Sequence, residues 1–345
     1  MAMLNRRALA LPLLVLTGIA ALTLWSAFGS GGGKTGPRGA DHVRFNMGWL
    51  PQGSMAGIFV AIDKGYFADA GLEVEPMRGF GGTRTVNELD QGMFEFAYAD
   101  PLSVALNRAK GGKTRMIGGL NMRFPAGVCF VRERHRIARP ADLADLRFGA
   151  GQSSAIQTLL PLWLERNGVD PDRVQRVQLD PAIVVTTLVE GKIDAAECWL
   201  GNSMALFDKA AKAKGVTIGR IAYADFGLDV YGSGFVSRDA IIQQRPEMVR
   251  GFLAAAYRGY ADAAQDPKAA LAIIRKFYPL LDEAVTERQI RETVELMAAE
   301  GGSLRLKPEK VARIVGYLRD SGQVTGPDST EMLFTNAYVP LGTQP

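Results

Sequence analysis

Residues 43–76, VRFNMGWLPQGSMAGIFVAIDKGYFADAGLEVEP, decide the fold. Val43 to Trp49 is a short, largely apolar run with the character of a strand. Ala56 to Ala70 carries Ile58, Phe59, Ile62 and Phe67 at helical spacing and stops at Gly71, a residue suited to closing a helix. Leu72 to Pro76 is again strand-like. Strand, helix and strand within 34 residues is the unit from which α/β layers are built.

The rhythm continues. Thr83 to Gln91 reads as a helix opened by Gly79-Phe80-Gly81-Gly82, Phe94 to Ala99 as a strand, Leu102 to Lys110 as a helix and Met116 to Leu120 as a strand. Val128 to Arg132 is strand-like, and after Pro140 a second α/β unit starts. It comprises a strand at Arg147 to Ala150, a helix at Ser154 to Asn167, a strand at Val174 to Leu179, a helix at Ile183 to Glu190 and a strand at Ile193 to Trp199. The C-terminal third is mostly helical over Pro246 to Ala264, Pro267 to Phe277, Glu283 to Glu300 and Pro308 to Ser321.

Two similar units in series predict two lobes, as does a length of 345 residues, too long for one ordinary core. Gly127 to Glu133, followed by Arg139-Pro140, is echoed by Gly234 to Asp239, followed by Arg245-Pro246. Two such crossover strands would make a hinge. The expected organisation is a leader at 1–29, a linker at 30–42, lobe one at 43–132, lobe two at 133–233, a helical return to lobe one at 234–325, and an irregular tail at 326–345.

With 47% apolar and 22% charged residues the chain is globular in composition. Its net charge of +4 has no basic block interleaved with aromatics, so nucleic acid is not an expected partner. Arg6-Arg7 ahead of the uncharged Ala8 to Phe28 reads as an export signal. Whether it is cleaved or retained as an anchor, and whether it is of the twin-arginine type, stays open; no Cys follows it to take a lipid. Cys129 and Cys198 are expected as buried free thiols, with a disulfide between them, open to a protein in an oxidising compartment, as the alternative. Two histidines, His42 and His135, offer little for a metal site, and none is expected.

In order along the chain, Trp49-Leu50-Pro51, Gly57-Ile58-Phe59-Val60-Ala61, Lys64-Gly65-Tyr66-Phe67 and Gly71-Leu72-Glu73-Val74 resemble periplasmic binding proteins related to the fungal thiamine-pyrimidine synthase, with nitrate, sulfonate and taurine binders close by. The resemblance continues through Gly92 to Ala97, Gly191 to Ala195 and Arg245 to Val249, and so spans most of residues 43–275. It implies a two-lobed α/β periplasmic binding fold of type II with a two-strand hinge. It also implies a small solute in the cleft of an exported, monomeric protein, and a membrane permease with its ATPase as partner.

Candidate ligand-binding residues follow from the strand ends and helix starts. Gly82 and Thr83, and Gln152, Ser153 and Ser154, open helices whose free N–H groups suit a polar or anionic group. The rings of Trp49, Tyr98 and Trp199 stand at strand ends, where open α/β sheets bind ligands. Asp100 and Glu197 flank the same ends and would accept from an amino or ring N–H donor. Ser54, Asn202 and Tyr231 complete the set.

The fungal relative is an enzyme, and its activity needs a His after the Trp-x-Pro motif and a cysteine cluster before the return crossing. This chain has Met55 and a Cys-free Gly227 to Phe235 there, and the phosphate cradle is reduced to Gly149 to Ser153. The resemblance therefore implies no catalysis and no pyridoxal phosphate or other cofactor. A pyrimidine-type thiamine precursor or similar flat heterocycle is the expected solute; a sulfonate, taurine, nitrate or aromatic acid is the alternative, and a catalytic synthase a third reading.

Overall fold

The computed structural model describes residues 39–320, 322–324 and 330–341; the expected leader lies outside them. Strands β1 (Asp41–Asn46), β2 (Leu72–Met77), β3 (Phe96–Ala99), β4 (Thr114–Gly119), β5 (Ala126–Val131), β6 (Arg147–Gly151), β7 (Gln175–Leu179), β8 (Ala195–Trp199), β9 (Ile218–Ala222) and β10 (Gly234–Arg238) form two five-stranded sheets. Their orders are β2-β1-β3-β10-β4 and β7-β6-β8-β5-β9.

Both sheets are built alike. In the first, β1 runs parallel to β2 and β3, and β10 lies antiparallel between β3 and β4. In the second, β6 runs parallel to β7 and β8, and β5 lies antiparallel between β8 and β9. The chain passes between sheets over residues 120–125 and 223–233. The passages touch: the N–H groups of Leu120 and Asn121 donate to the Ser233 carbonyl at 3.2 and 2.8 Å, and Gly232 N–H donates to the Asn121 carbonyl at 2.9 Å.

Three details differ from the sequence expectation. The strand at Val128 to Arg132, expected in the first lobe, is β5 and pairs within the second sheet, so the crossing precedes it. Strand β9 was not foreseen. The tail, expected to be irregular, carries a helical turn at Thr330–Leu333 and a bridge from Phe334 to Met116.

The helix Pro246–Gln265 returns across the first sheet, and Phe252 sits on it, stacked on Phe96 at 4.1 Å and beside Phe45 and Phe235. That packing places this helix on the first sheet. The helix crosses the helix Ala56–Asp63 closely: a Cβ on Gly259 would lie 2.1 Å from the Gly57 carbonyl oxygen, so only glycine fits. The larger apolar cluster runs through Leu120, Met122 and Phe124 into the second half, and a smaller one surrounds Cys129 and Cys198.

Those cysteines, expected as free thiols, form a disulfide. They are 69 residues apart in sequence, but β5 and β8 are antiparallel neighbours that bring their Cα atoms to 5.8 Å, well within the reach of a disulfide.

Candidate functional site

The carboxyl ends of β1 and β3 face those of β6 and β8 across a cleft that keeps a cavity of about 560 Å³. Trp49 enters it from the turn after β1. Gly48 holds φ +75° there, and a Cβ would lie 2.3 Å from the Tyr98 carbonyl oxygen, so the turn that aims the indole requires glycine. Gly79 N–H donates to the Trp49 carbonyl at 2.9 Å, and Gly81 N–H to that of Gly48 at 3.0 Å, joining the Trp49 turn to the Gly79–Gly82 loop. The indole reaches across the cleft to Gly151, where a Cβ would stand 3.4 Å from its far edge.

The two halves also touch directly. Thr83 N–H donates to the Ser153 carbonyl at 3.3 Å, and Gly81, at φ +116°, leaves room for the Ser153 side chain. The two glycine-containing helix starts therefore meet, and the halves are closed on one another at this point.

Asp100 follows β3 and caps the helix Pro101–Ala109: its Oδ1 accepts from Ser103 N–H and its Oδ2 from the Ser103 hydroxyl, both at 2.8 Å. Burial raises its pKa despite these bonds. Tyr98, one residue earlier, has a buried phenol pushed up to about 12, whose oxygen accepts from Asn121 Nδ2 at 3.0 Å.

Glu197 on β8 is the most unusual group. Its side chain is 6% exposed, and its Oε1 accepts from the Ser154 hydroxyl at 2.7 Å and from the Trp199 indole N–H. Its Oε2 is buried with no partner in the protein. Burial pushes its pKa up to about 7; the Ser154 and Trp199 bonds oppose the rise and the Asp100 charge adds to it. Ser154 also caps the helix Ala155–Arg166, its Oγ accepting from Ile156 N–H at 3.2 Å. Trp199 is held edge-on against Phe124 at 5.5 Å.

Of the residues expected to bind ligand, Trp49, Gly82, Tyr98, Asp100, Ser154, Glu197, Trp199 and Asn202 line this cavity together. Thr83, Gln152 and Ser153 line an adjoining polar cavity instead, which shares Ser154 with it. Ser54 is buried beside the cleft, accepting from Gln52 Nε2 at 2.9 Å. Tyr231 lies in the second crossing, where its hydroxyl accepts from Lys307 N–H at 3.0 Å and Lys310 sits over its ring. It contributes to packing away from the cleft.

The sequence reading missed the apolar wall of Pro181, Val184, Val185 and Leu206, and also Gln52 and Lys209. The wall residues belong to the helices Val184–Val189 and Ser203–Ala213 or precede them, and their apolar spacing reads as ordinary core. Lys209 is the one cation among the described lining residues, and it is paired with Asp282 at 2.6 Å. Arg84 and Arg123, which would favour an oxyanion, do not line the cavity; Arg84 pairs with Glu88. Among the described residues no cluster of His, Cys, Asp and Glu could hold a metal ion.

The sequence profile of the family described as NMT1/THI5 like matches residues 52–270. The riboflavin-binding protein RibY of Chloroflexus aurantiacus is 24% identical over 319 residues, covering 88% of this chain and 87% of that protein. A formylaminopyrimidine-binding protein of Halalkalibacterium halodurans is 25% identical over 269 residues, covering 76% and 79%. Among solved structures, the alkanesulfonate-binding protein SsuA of Xanthomonas axonopodis pv. citri bound to MOPS superposes with a TM-score of 0.66 at 14% identity, over 85% of this chain and 98% of that one. That likeness is one of fold: the two-sheet periplasmic binding fold expected from the sequence is the one observed.

Proposed function

Since the chain belongs to the NMT1/THI5-like family, we propose that it is an exported solute-binding protein that captures a flat, N–H-donating heterocycle and delivers it to an ABC-type permease with its ATPase. Glu197 carries this reading. A carboxyl group that is buried, half-neutralised near pH 7 and left with a free oxygen at a cavity wall costs stability unless a guest satisfies it. Asp100 is a second acid on the facing half, and the rings of Trp49 and Trp199 supply flat surfaces.

Two carboxyl groups and one already paired cation make a poor site for a sulfonate or nitrate, whose charge needs Arg or unpaired N–H donors. The curated relatives named above are binding proteins of a flavin and a pyrimidine, and both are flat nitrogen heterocycles. The chain acts by binding rather than by catalysis in this reading, as a monomer in the periplasm. The Cys129–Cys198 disulfide suits that oxidising compartment.

The test is a thermal-shift and calorimetry panel of riboflavin, formylaminopyrimidine, taurine, an alkanesulfonate and nitrate. A heterocycle should raise the melting temperature, because a solute that binds only the folded protein stabilises it. A panel in which only the oxyanions do so sinks the proposal.

A further inference from the structure

Gln289 lies in the helix Glu283–Ala298, which packs on the first half, and is 2% exposed. Its side chain is not among the cavity-lining residues, yet it reaches both walls. Its Oε1 accepts from Gly53 N–H at 2.9 Å, next to the lining residue Gln52 of the first half. Its Nε2 donates to the carbonyl of Asn202 at 2.8 Å, a lining residue of the second half. A backbone N–H on one side and a backbone carbonyl on the other fix which end of the amide faces each.

The approach is tight. A Cβ on Gly53 would meet the Thr286 carbonyl oxygen at 2.3 Å, and one on Gly201 would meet Thr293 Oγ1 at 2.9 Å, so two glycines let both walls close on the helix. Other bonds join the helix or its cap to the second half: Gly201 N–H donates to Glu292 at 2.7 Å, Arg288 pairs with Asp208 at 2.6 Å, and the capping Asp282 pairs with Lys209 at 2.6 Å. Lys209 and Asp282 are exposed and their pair is screened by solvent. Gln289 is dry, where a lost partner costs most.

We propose that Gln289 is a clasp, a positioning residue whose two amide bonds hold the halves in the closed arrangement without contacting solute. The proposal rests on the solute-binding reading for its purpose, but its test needs no solute. Cysteines placed at the exposed positions Lys110 and Lys192, one on each half, take spin labels for distance measurement, since Cys129 and Cys198 are already paired. Gln289→Met, similar in size but without either bond, is expected to shift the closed-to-open ratio about tenfold toward open, the effect of losing the one hydrogen bond, to Asn202, by which this buried side chain joins the helix to the second half.

Gln289→Glu supplies a rescue. Burial at this dry position raises the introduced carboxyl above its ordinary value of about 4.3, so at pH 5 it is protonated and donates again; at pH 9 it is ionised and faces the Asn202 carbonyl. Its distances should match the parent's at pH 5 and be more open than the parent's at pH 9, the parent at each pH serving as the control for Glu197, which titrates in the same range. Parent-like distances in Gln289→Met alongside a lower urea midpoint would make the residue merely structural and overturn the clasp. Should that variant not fold, Gln289→Glu distances that equal the parent's at both pH values overturn it equally. Opening in a protein that binds nothing in the solute panel would retire the solute reading and leave the clasp standing.

Discussion

Glu197→Gln is expected to remove a pH dependence from folding. In the folded protein burial raises the Glu197 carboxyl from an ordinary 4.5 to about 7. Between those values the folded chain keeps a proton that the unfolded chain has released, so stability falls as pH rises through the window. The loss starts near pH 4.5 and is complete above about 7. At about 1.4 kcal/mol per pH unit the whole window amounts to about 3 kcal/mol.

Glutamine is neutral throughout. Its oxygen can accept from Ser154 and Trp199 as Oε1 does, and its NH2 takes the place of the unpartnered Oε2. The variant should therefore match the parent near pH 4.5 and exceed it by up to about 3 kcal/mol at pH 8. Asp100, also raised by burial, titrates in both proteins and largely cancels in the difference. Urea unfolding followed by circular dichroism from pH 4.5 to 8 reads this directly. Parallel curves for the two proteins, or a parent that gains on the variant with rising pH, would refute the argument that burial governs Glu197.

Trp49→Ala and Glu197→Ala should each weaken binding of whichever heterocycle the solute panel selects by about 1 to 3 kcal/mol in calorimetry; unchanged affinity in both would place the solute elsewhere. Replacing Cys129 and Cys198 together by alanine should cost about 4 kcal/mol of stability, the loop-closure value for a 69-residue separation. Two thiols titrating in the denatured, unreduced protein would show that the bond never forms. Gly82→Ala puts a Cβ 2.3 Å from Asp100 Oδ2 and 2.6 Å from Ser103 Oγ, so a loss of about 1 to 3 kcal/mol from overpacking is expected. A urea midpoint equal to the parent's would mean the Asp100 cap yields without cost.

The sequence alone determined the alternation of strands and helices, because periods of 2 and 3.6 are local and each segment carries its own signal. It also marked Trp49, Asp100, Ser154, Glu197 and Trp199, since a residue at a strand end or helix start is placed by the element it terminates. Only the tertiary structure decided which sheet claims β5, that Cys129 meets Cys198, that Tyr231 faces away from the cleft, and that Gln289 spans both walls. Gly53 and Gln289 are 236 residues apart. Contacts at that range depend on how whole sheets and helices dock, and no short window of sequence records the docking.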